Sequence, residues 1–452
     1  MVAKDRIEFM EIAPVLDLRG TLSVIDTIYA LGIDSGGAWK LVKVNAGGLV
    51  KSIDLSDQLS GLGGWLAGLR NGKILVVGSG KVNSTWYIKI YEIDLDLGSV
   101  NKIFEWSKDV GTNNCPSNDA IYDPDYDRVI VAGWSQATTE ERLGVAFVDL
   151  KAGSVQEYTD PDRYAAMNNC ILITRDKYIV TVHGHVGGDI YFLRSDPSQR
   201  GGFTVPGSFT TGFYGGFRYL MPTRRPFGGW PIWAIEGGSG TGASQGIWKA
   251  DDEGNFVSVS KPSGYEPSGI AGVEVDWPWL GVHVFNIGDD SGYFNPPYGL
   301  LLYEEGVGWL DLTSDIKSFL GVTNLTVYGR TGNSGAYDPE RNRFFGLVGV
   351  RDTDTDTPHL LLILYEPVKG LRALANGQEK VSVEANASVE LSLEAWFDDK
   401  ARDYVLFDLE EAPEGGGFAK IAELYTEGGR AVKTVSKPSG TYQYRGKVRG
   451  VV

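Results

Sequence analysis

Short runs of alternating apolar and polar residues cover most of this chain. No stretch carries the i, i+3, i+4, i+7 apolar stripe of a capped helix. Alternation of period two places side chains on opposite faces of a strand, so the pattern predicts strands almost throughout. The clearest are Ile28–Ile33, Trp39–Val44, Lys73–Val77, Trp86–Tyr91, Tyr178–Val182 and Leu360–Tyr365. One segment departs from the pattern: Thr313–Leu320 predicts a short helical turn.

The strands come in hairpins that recur seven times, about fifty residues apart. Two copies match closely: Tyr91-Glu-Ile-Asp-Leu-Asp-Leu-Gly98-Ser-Val100 and Ala146-Phe-Val-Asp-Leu-Lys-Ala-Gly153-Ser-Val155. Looser copies turn at Gly47-Gly48, Asp196-Pro197, Asp251-Asp252, Glu304-Glu305 and Glu366-Pro367. A unit of this size cannot bury its own hydrophobic face and must stack on its neighbours. Seven such units predict an all-β chain with a seven-bladed β-propeller over residues 22–375. Residues 1–21 read as a lead-in, and its run Ile7–Ile12 is the natural strand to close the ring against the last blade.

A second signature opens units three and seven. Tyr122-Asp-Pro-Asp-Tyr-Asp-Arg128 lines up with Tyr337-Asp-Pro-Glu-Arg-Asn-Arg343. Asp-Pro starts a tight turn with a preset φ, and Arg begins the next strand. This turn resembles that of kelch-like and related propellers, which implies the fold and no particular activity. From about Asn376 the chain becomes rich in Glu, Ala, Val and Lys, and the fifty-residue period ends. Strand-like runs then follow closely enough to predict a small antiparallel β-sandwich over 376–452. Within it, Pro438-Ser-Gly-Thr-Tyr-Gln-Tyr-Arg-Gly-Lys-Val448 resembles the penultimate strand of fibronectin type III and immunoglobulin-like domains. Little sequence remains after it for the usual last strand. The resemblance therefore implies an open edge, paired with another subunit or covered by the chain itself.

Composition narrows the functional classes. The 60 glycines and 12% aromatic residues suit short strands and tight turns. A formal charge of −16 argues against nucleic acid as a partner. No apolar run is long enough to span a membrane. The N-terminus, Met1–Glu8, carries charges where a signal peptide needs an apolar core. The expectation is a chain that stays inside, was trimmed, or leaves by a non-classical route such as release with a virus particle.

Candidate chemistry is scattered. Cys115 and Cys170 sit in matching Asn-rich contexts at the starts of adjacent units and could form a disulfide or remain two thiols. His183 and His185 share one strand face beside Asp189, a weak metal signal without a partner motif. Asp352, Asp354 and Asp356 alternate as calcium ligands do, but the run lacks the glycine and terminal glutamate of an EF-hand. An exposed acidic hairpin competes with Ca²⁺ there, and no other cofactor is implied. Sialidase-type Ser-x-Asp boxes and a Gly-x-Ser-x-Gly elbow have no match. The strongest site signal is aromatic: Tyr214, Phe217, Arg218 and Trp230 in unit five, then Tyr293, Phe294 and Tyr298 in a Gly/Pro-rich insertion of unit six. Such rings can stack on sugars or anchor a protein; Trp233, Trp248 and Trp279 read instead as wedges between blades. Together these features suggest a non-enzymatic binding or structural protein that presents its loops to a surface glycan or protein. It would self-associate through its sandwich, as on a virion surface or in host attachment. The alternative is a carbohydrate-active enzyme, hydrolase or lyase, with its active site in the axial cleft.

Overall fold

The computed structural model describes residues 4–13, 16–110, 117–136, 141–164, 171–173, 177–180, 190–202, 217–222, 232–236, 247–250, 256–260, 262, 265, 272–277, 280–288, 298–327, 334–378, 385–398, 400–401 and 405–451. Strands dominate, with one α-helix, Thr313–Leu320, among the described residues. Among these residues the repeats form seven antiparallel sheets in chain order, each a blade of four strands or more. Their first strands are Leu16–Val24, Gly63–Arg70, Ser117–Asp123, Ile171–Ile173, Phe217–Pro222, Gly272–Trp277 and, in the seventh sheet, the divided pair Leu325–Val327 and Ala336–Asp338. From sheet one to sheet six, each first strand contacts the first strand of the next sheet. Gly272–Trp277 touches the seventh sheet, which in turn touches Leu16–Val24.

Apolar residues in the middle strands explain this stacking. In Lys73–Val82 of sheet two, Ile74 and Val76 pack with Leu31 and Leu41 of sheet one, while Leu75 and Val77 pack with Val129 and Val131 of sheet three. A blade strand is therefore apolar on both faces, and each fully buried side chain contributes about 1.5–3 kcal/mol. Polar clasps tie the same seams. Arg70 of sheet two donates through Nε and Nη2 to Asp127 of sheet three at 2.6 and 2.7 Å. Asp123 of sheet three, fully buried, accepts from the Tyr178 hydroxyl and the Arg194 guanidinium of sheet four.

The Tyr-Asp-Pro signature has a geometric basis. Asp123 Oδ1 accepts the Asp125 N–H at 3.0 Å, and Asp338 Oδ1 accepts the Glu340 N–H at 2.9 Å. The chain then reverses through left-handed residues, Asp127 at φ 47° and Asn342 at φ 54°; Asp and Asn tolerate that region better than most. Each is held by the tyrosine that opens the motif, with hydroxyl-to-carbonyl or carboxylate distances of 2.9 Å.

The segment ahead of the repeats does pair with the last of them. Ile7–Ile12 lies antiparallel to Thr357–Tyr365, from Ile7 opposite Tyr365 to Ile12 opposite Leu360. Two boundaries differ from the sequence reading. Leu16–Val24 already belongs to the first sheet, so the repeats begin before residue 22. Lys369–Ala375 pairs with Ser388–Phe397 of the C-terminal unit and not with the seventh sheet. The turn expected at Glu366-Pro367 is thus a crossing between units, and the N-terminal strand fills the place of the missing outer one.

Among the described residues the C-terminal unit has two sheets. One joins Lys369–Ala375, Ser388–Phe397 and Arg430–Ser436; the other joins Ala419–Tyr425, Val405–Pro413 and Tyr442–Val451. Tyr442–Val451 pairs with Val405–Pro413 alone among the described residues. Phe397 packs on Tyr337 and Phe344 of the seventh sheet at 5.0 and 5.2 Å between ring centroids. The Tyr365 hydroxyl donates to Asp398 at 2.6 Å. These contacts place both units over one continuous apolar core.

Candidate axial site

The first strands share a defect. In sheet one the ladder passes from Leu18–Gly32 to Gly20–Leu31 and skips Arg19. Sheet two skips Ala67, sheet three Asn118, sheet five Arg218 and sheet six Glu274. Each is a β-bulge, which rolls the strand and re-aims its side chains. The roll is visible in the packing. Leu18 meets Leu347 of sheet seven, yet Leu22 meets Leu66 of sheet two. Val273 meets Trp233 of sheet five, yet Val275 meets Val348 of sheet seven. Five first strands therefore carry one position that the ladder skips, and Ala67 among them packs in the seam with sheet three.

Glu274 is the best supported of these positions. Its carbonyl accepts from the Ser334 N–H at 3.2 Å and from the Ser334 hydroxyl at 2.9 Å. The Asp276 N–H donates to the Ser334 carbonyl at 2.9 Å, completing a parallel bridge between sheets six and seven. Gly335 permits this approach, because a Cβ there would lie 1.9 Å from the Asp276 carbonyl oxygen. The backbone carrying Glu274 is therefore fixed from both neighbouring strands, and the residue is 4% exposed. Arg19 is open to solvent and ion-paired to Asp17, whose side chain is 16% exposed. In sheet three, Asp119 follows the bulge and its Oδ1 accepts the Ala120 N–H at 2.8 Å. The first strands of sheets six and one thus offer a withdrawn carboxyl group at Glu274 and a more open carboxylate at Asp17 beside a guanidinium.

The residues singled out from sequence are distributed unevenly. Phe217 and Arg218 lie in the first strand of sheet five, with Arg218 at the bulge, and Tyr298 opens the third strand of sheet six. Tyr214, Trp230, Tyr293 and Phe294 lie outside the described residues, as do Cys115, Cys170, His183, His185, Asp189 and Trp279. Trp233 is fully buried between sheets five and six, as a wedge should be. The alternating aspartates do not converge. Asp352 accepts from the Asp354 N–H and the Thr355 hydroxyl, Asp354 from the Asn324 amide, and Asp356 from Arg351. These are the bonds of a tight hairpin, and no cluster among the described residues could hold a metal ion. His359 lies 2.7 Å from Glu11 and fastens the N-terminal strand to sheet seven.

Sequence reasoning passed over Glu274, Asp17 and Arg19. Val273-Glu-Val-Asp-Trp277 reads as unbroken alternation, so nothing in the pattern marks the bulge. A hint exists in sheet one, where Leu16 and Leu18 are followed by Leu22 after a polar Arg-Gly-Thr step.

No protein-family model matches this sequence, and no curated protein matches it. Solved structures do show similarity. An acylaminoacyl peptidase in complex with a chloromethyl ketone shares 11% identity over 84% of this chain, with a TM-score of 0.46. A puromycin hydrolase shares 12% over 83%, also at 0.46. The chain spans 58% of the length of each. The GH93 α-L-arabinofuranosidase of Fusarium graminearum shares 12% over 78% of this chain and 93% of its own, with a TM-score of 0.39. The expectation of a non-enzymatic binding or structural protein, with its virion and host-attachment role, is corrected on this finding: these similar structures are enzymes, which fits the alternative reading. Likeness this distant transfers no substrate and no catalytic residue.

Proposed function

We propose that this chain is a carbohydrate-active enzyme, a glycoside hydrolase before a lyase, working in the axial cleft of a closed seven-bladed β-propeller. The C-terminal sandwich would be a fibronectin type III-like accessory. The observation that carries the reading is the buried Glu274 at a bulge in the first strand of sheet six, with Asp17 on the first strand of sheet one. Glycoside hydrolysis uses two carboxyl groups, one protonating the leaving oxygen and one acting as nucleophile or base. Glu274, withdrawn from water and rigidly mounted, suits the first role. Asp17, beside a permanently charged guanidinium, suits the second. Phe217, on the first strand of neighbouring sheet five, is of the residue type that stacks on sugar rings.

The test is incubation of the purified chain with a panel of plant, microbial and animal polysaccharides, followed by a reducing-end assay and mass spectrometry of products. Release of oligosaccharides from at least one substrate class is expected. A panel with no turnover from pH 4 to 8 would defeat the proposal.

A further inference from the structure

The seam between sheets five and six carries an ionisable group of a different kind from its neighbours. Arg70–Asp127 and Arg194–Asp123 rest on guanidinium groups, which keep their protons at any ordinary pH. Here the centre is His283, on the second strand of sheet six and 1% exposed. Its Nδ1 lies 2.6 Å from Asp276 Oδ1, directly across the ladder on the first strand. Its Nε2 lies 3.3 Å from Glu305 Oε1, in the hairpin that follows the third strand. Lys249 reaches across from sheet five to the same Glu305 oxygen at 2.6 Å. Trp233 of sheet five meets the imidazole edge-on at 4.8 Å between ring centres, and Lys249 also lies over the Trp233 ring. Tyr303 stacks near the other face at 6.4 Å.

We propose that His283 is a protonation-dependent clasp that orders sheet five against sheet six. With both ring nitrogens protonated, the imidazolium joins Asp276 to Glu305, and Glu305 carries the link to Lys249. With Nδ1–H retained for Asp276 and Nε2 deprotonated, a lone pair faces a carboxylate oxygen across 3.3 Å. That contact is repulsive, and the hairpin bearing Glu305 must turn away and take the Lys249 bridge with it.

The electrostatics agree in direction. Burial pushes the imidazole down, but the Asp276 carboxylate, its hydrogen bond and Glu305 outweigh this and lift it above its ordinary 6.5. Glu305 is held down at about 2, first by its bond to His283 and then by Lys249, against the cost of its own burial. The histidine's contribution is complete below 6.5 and is lost as pH rises through the higher folded-state value. The glutamate's contribution is complete above its ordinary 4.5 and is lost as pH falls toward about 2. The seam is therefore tightest between 4.5 and 6.5 and loosens on the alkaline side. Asp276, Glu305 and Tyr303 from sheet six, with Lys249 and Trp233 from sheet five, are the groups that face the ring. This clasp does not depend on the enzymatic reading, because it concerns how the blades are held.

Hydrogen exchange on the full chain tests it, at pH 6 and pH 9 with intrinsic rates corrected. Protection of Ile232–Glu236 and Ile247–Ala250 is expected to fall about tenfold at pH 9 relative to Lys73–Val77, the scale of one charge-assisted hydrogen bond. Glu305→Gln should flatten that dependence, since its amide can donate to a neutral Nε2. The position is partly exposed, so the variant keeps the fold. Equal protection at both pH values in the wild type overturns the proposal, and so does an unchanged pH dependence in Glu305→Gln.

Discussion

Glu274→Gln is expected to lower kcat on a natural polysaccharide by about 10²–10⁴-fold, the range a positioned proton donor or acceptor supplies. The substitution preserves shape, and the parallel bridge to Ser334 uses only the Glu274 carbonyl. Thermal unfolding of the variant, measured alongside, separates a loss of kcat from a loss of fold. The decisive comparison uses an aryl glycoside whose leaving group departs without a proton. If Glu274 is the acid, Glu274→Gln recovers most of its cleavage rate on that substrate, because no protonation is needed. Asp17→Asn should show no such recovery, because the nucleophile or base is required for either leaving group. Wild-type kinetics in Glu274→Gln on every cleaved substrate would remove the residue from the reaction. Equal loss on both substrates would exchange the roles of the two carboxyl groups.

Much of the architecture could be read from particular residues. Ile74-Leu-Val-Val77 is apolar without a break because its faces meet different sheets, and that continuity is visible in the sequence. The Tyr-Asp-Pro turns could be aligned by eye because their hydrogen bonds are local and fix residue types at fixed offsets. The placement of Lys369–Ala375 was lost because an exposed edge strand of mixed composition looks the same at the end of one unit or the start of the next. The bulged positions were lost for a different reason. A bulge changes register without changing composition, so Glu274 and Asp276 look equivalent on paper, two carboxylates two residues apart. Only the ladder separates them: Asp276 faces His283 in a seam, and Glu274 is the residue that the ladder passes over. The His283 cluster likewise depends on register, since its members come from five strands and one turn between Trp233 and Glu305.

The largest loss of stability is expected from Asp123→Ala. Asp123 is fully buried and binds the Tyr178 hydroxyl at 2.5 Å, the Arg194 Nε at 3.1 Å and Nη2 of the same guanidinium. It also accepts the Asp125 N–H, so it shapes its own turn while tying sheet three to sheet four. Alanine leaves the Arg194 guanidinium, with 9% of its side chain exposed, facing a cavity in place of its main counter-charge. Removing one partner of a buried ion pair costs about 3–5 kcal/mol, because the remaining charge stays desolvated. Asp125, whose side chain is 66% exposed, contacts the same Arg194 at 2.7 Å and is the matched control. Asp125→Ala should cost about 1 kcal/mol or less, as exposed pairs do. Urea denaturation of both variants measures the difference. A gap of roughly 2 kcal/mol or more between them places the seam's strength in the buried carboxylate. Equal, small losses would mean that apolar packing alone holds these blades together and that the Tyr-Asp-Pro aspartate serves only its turn.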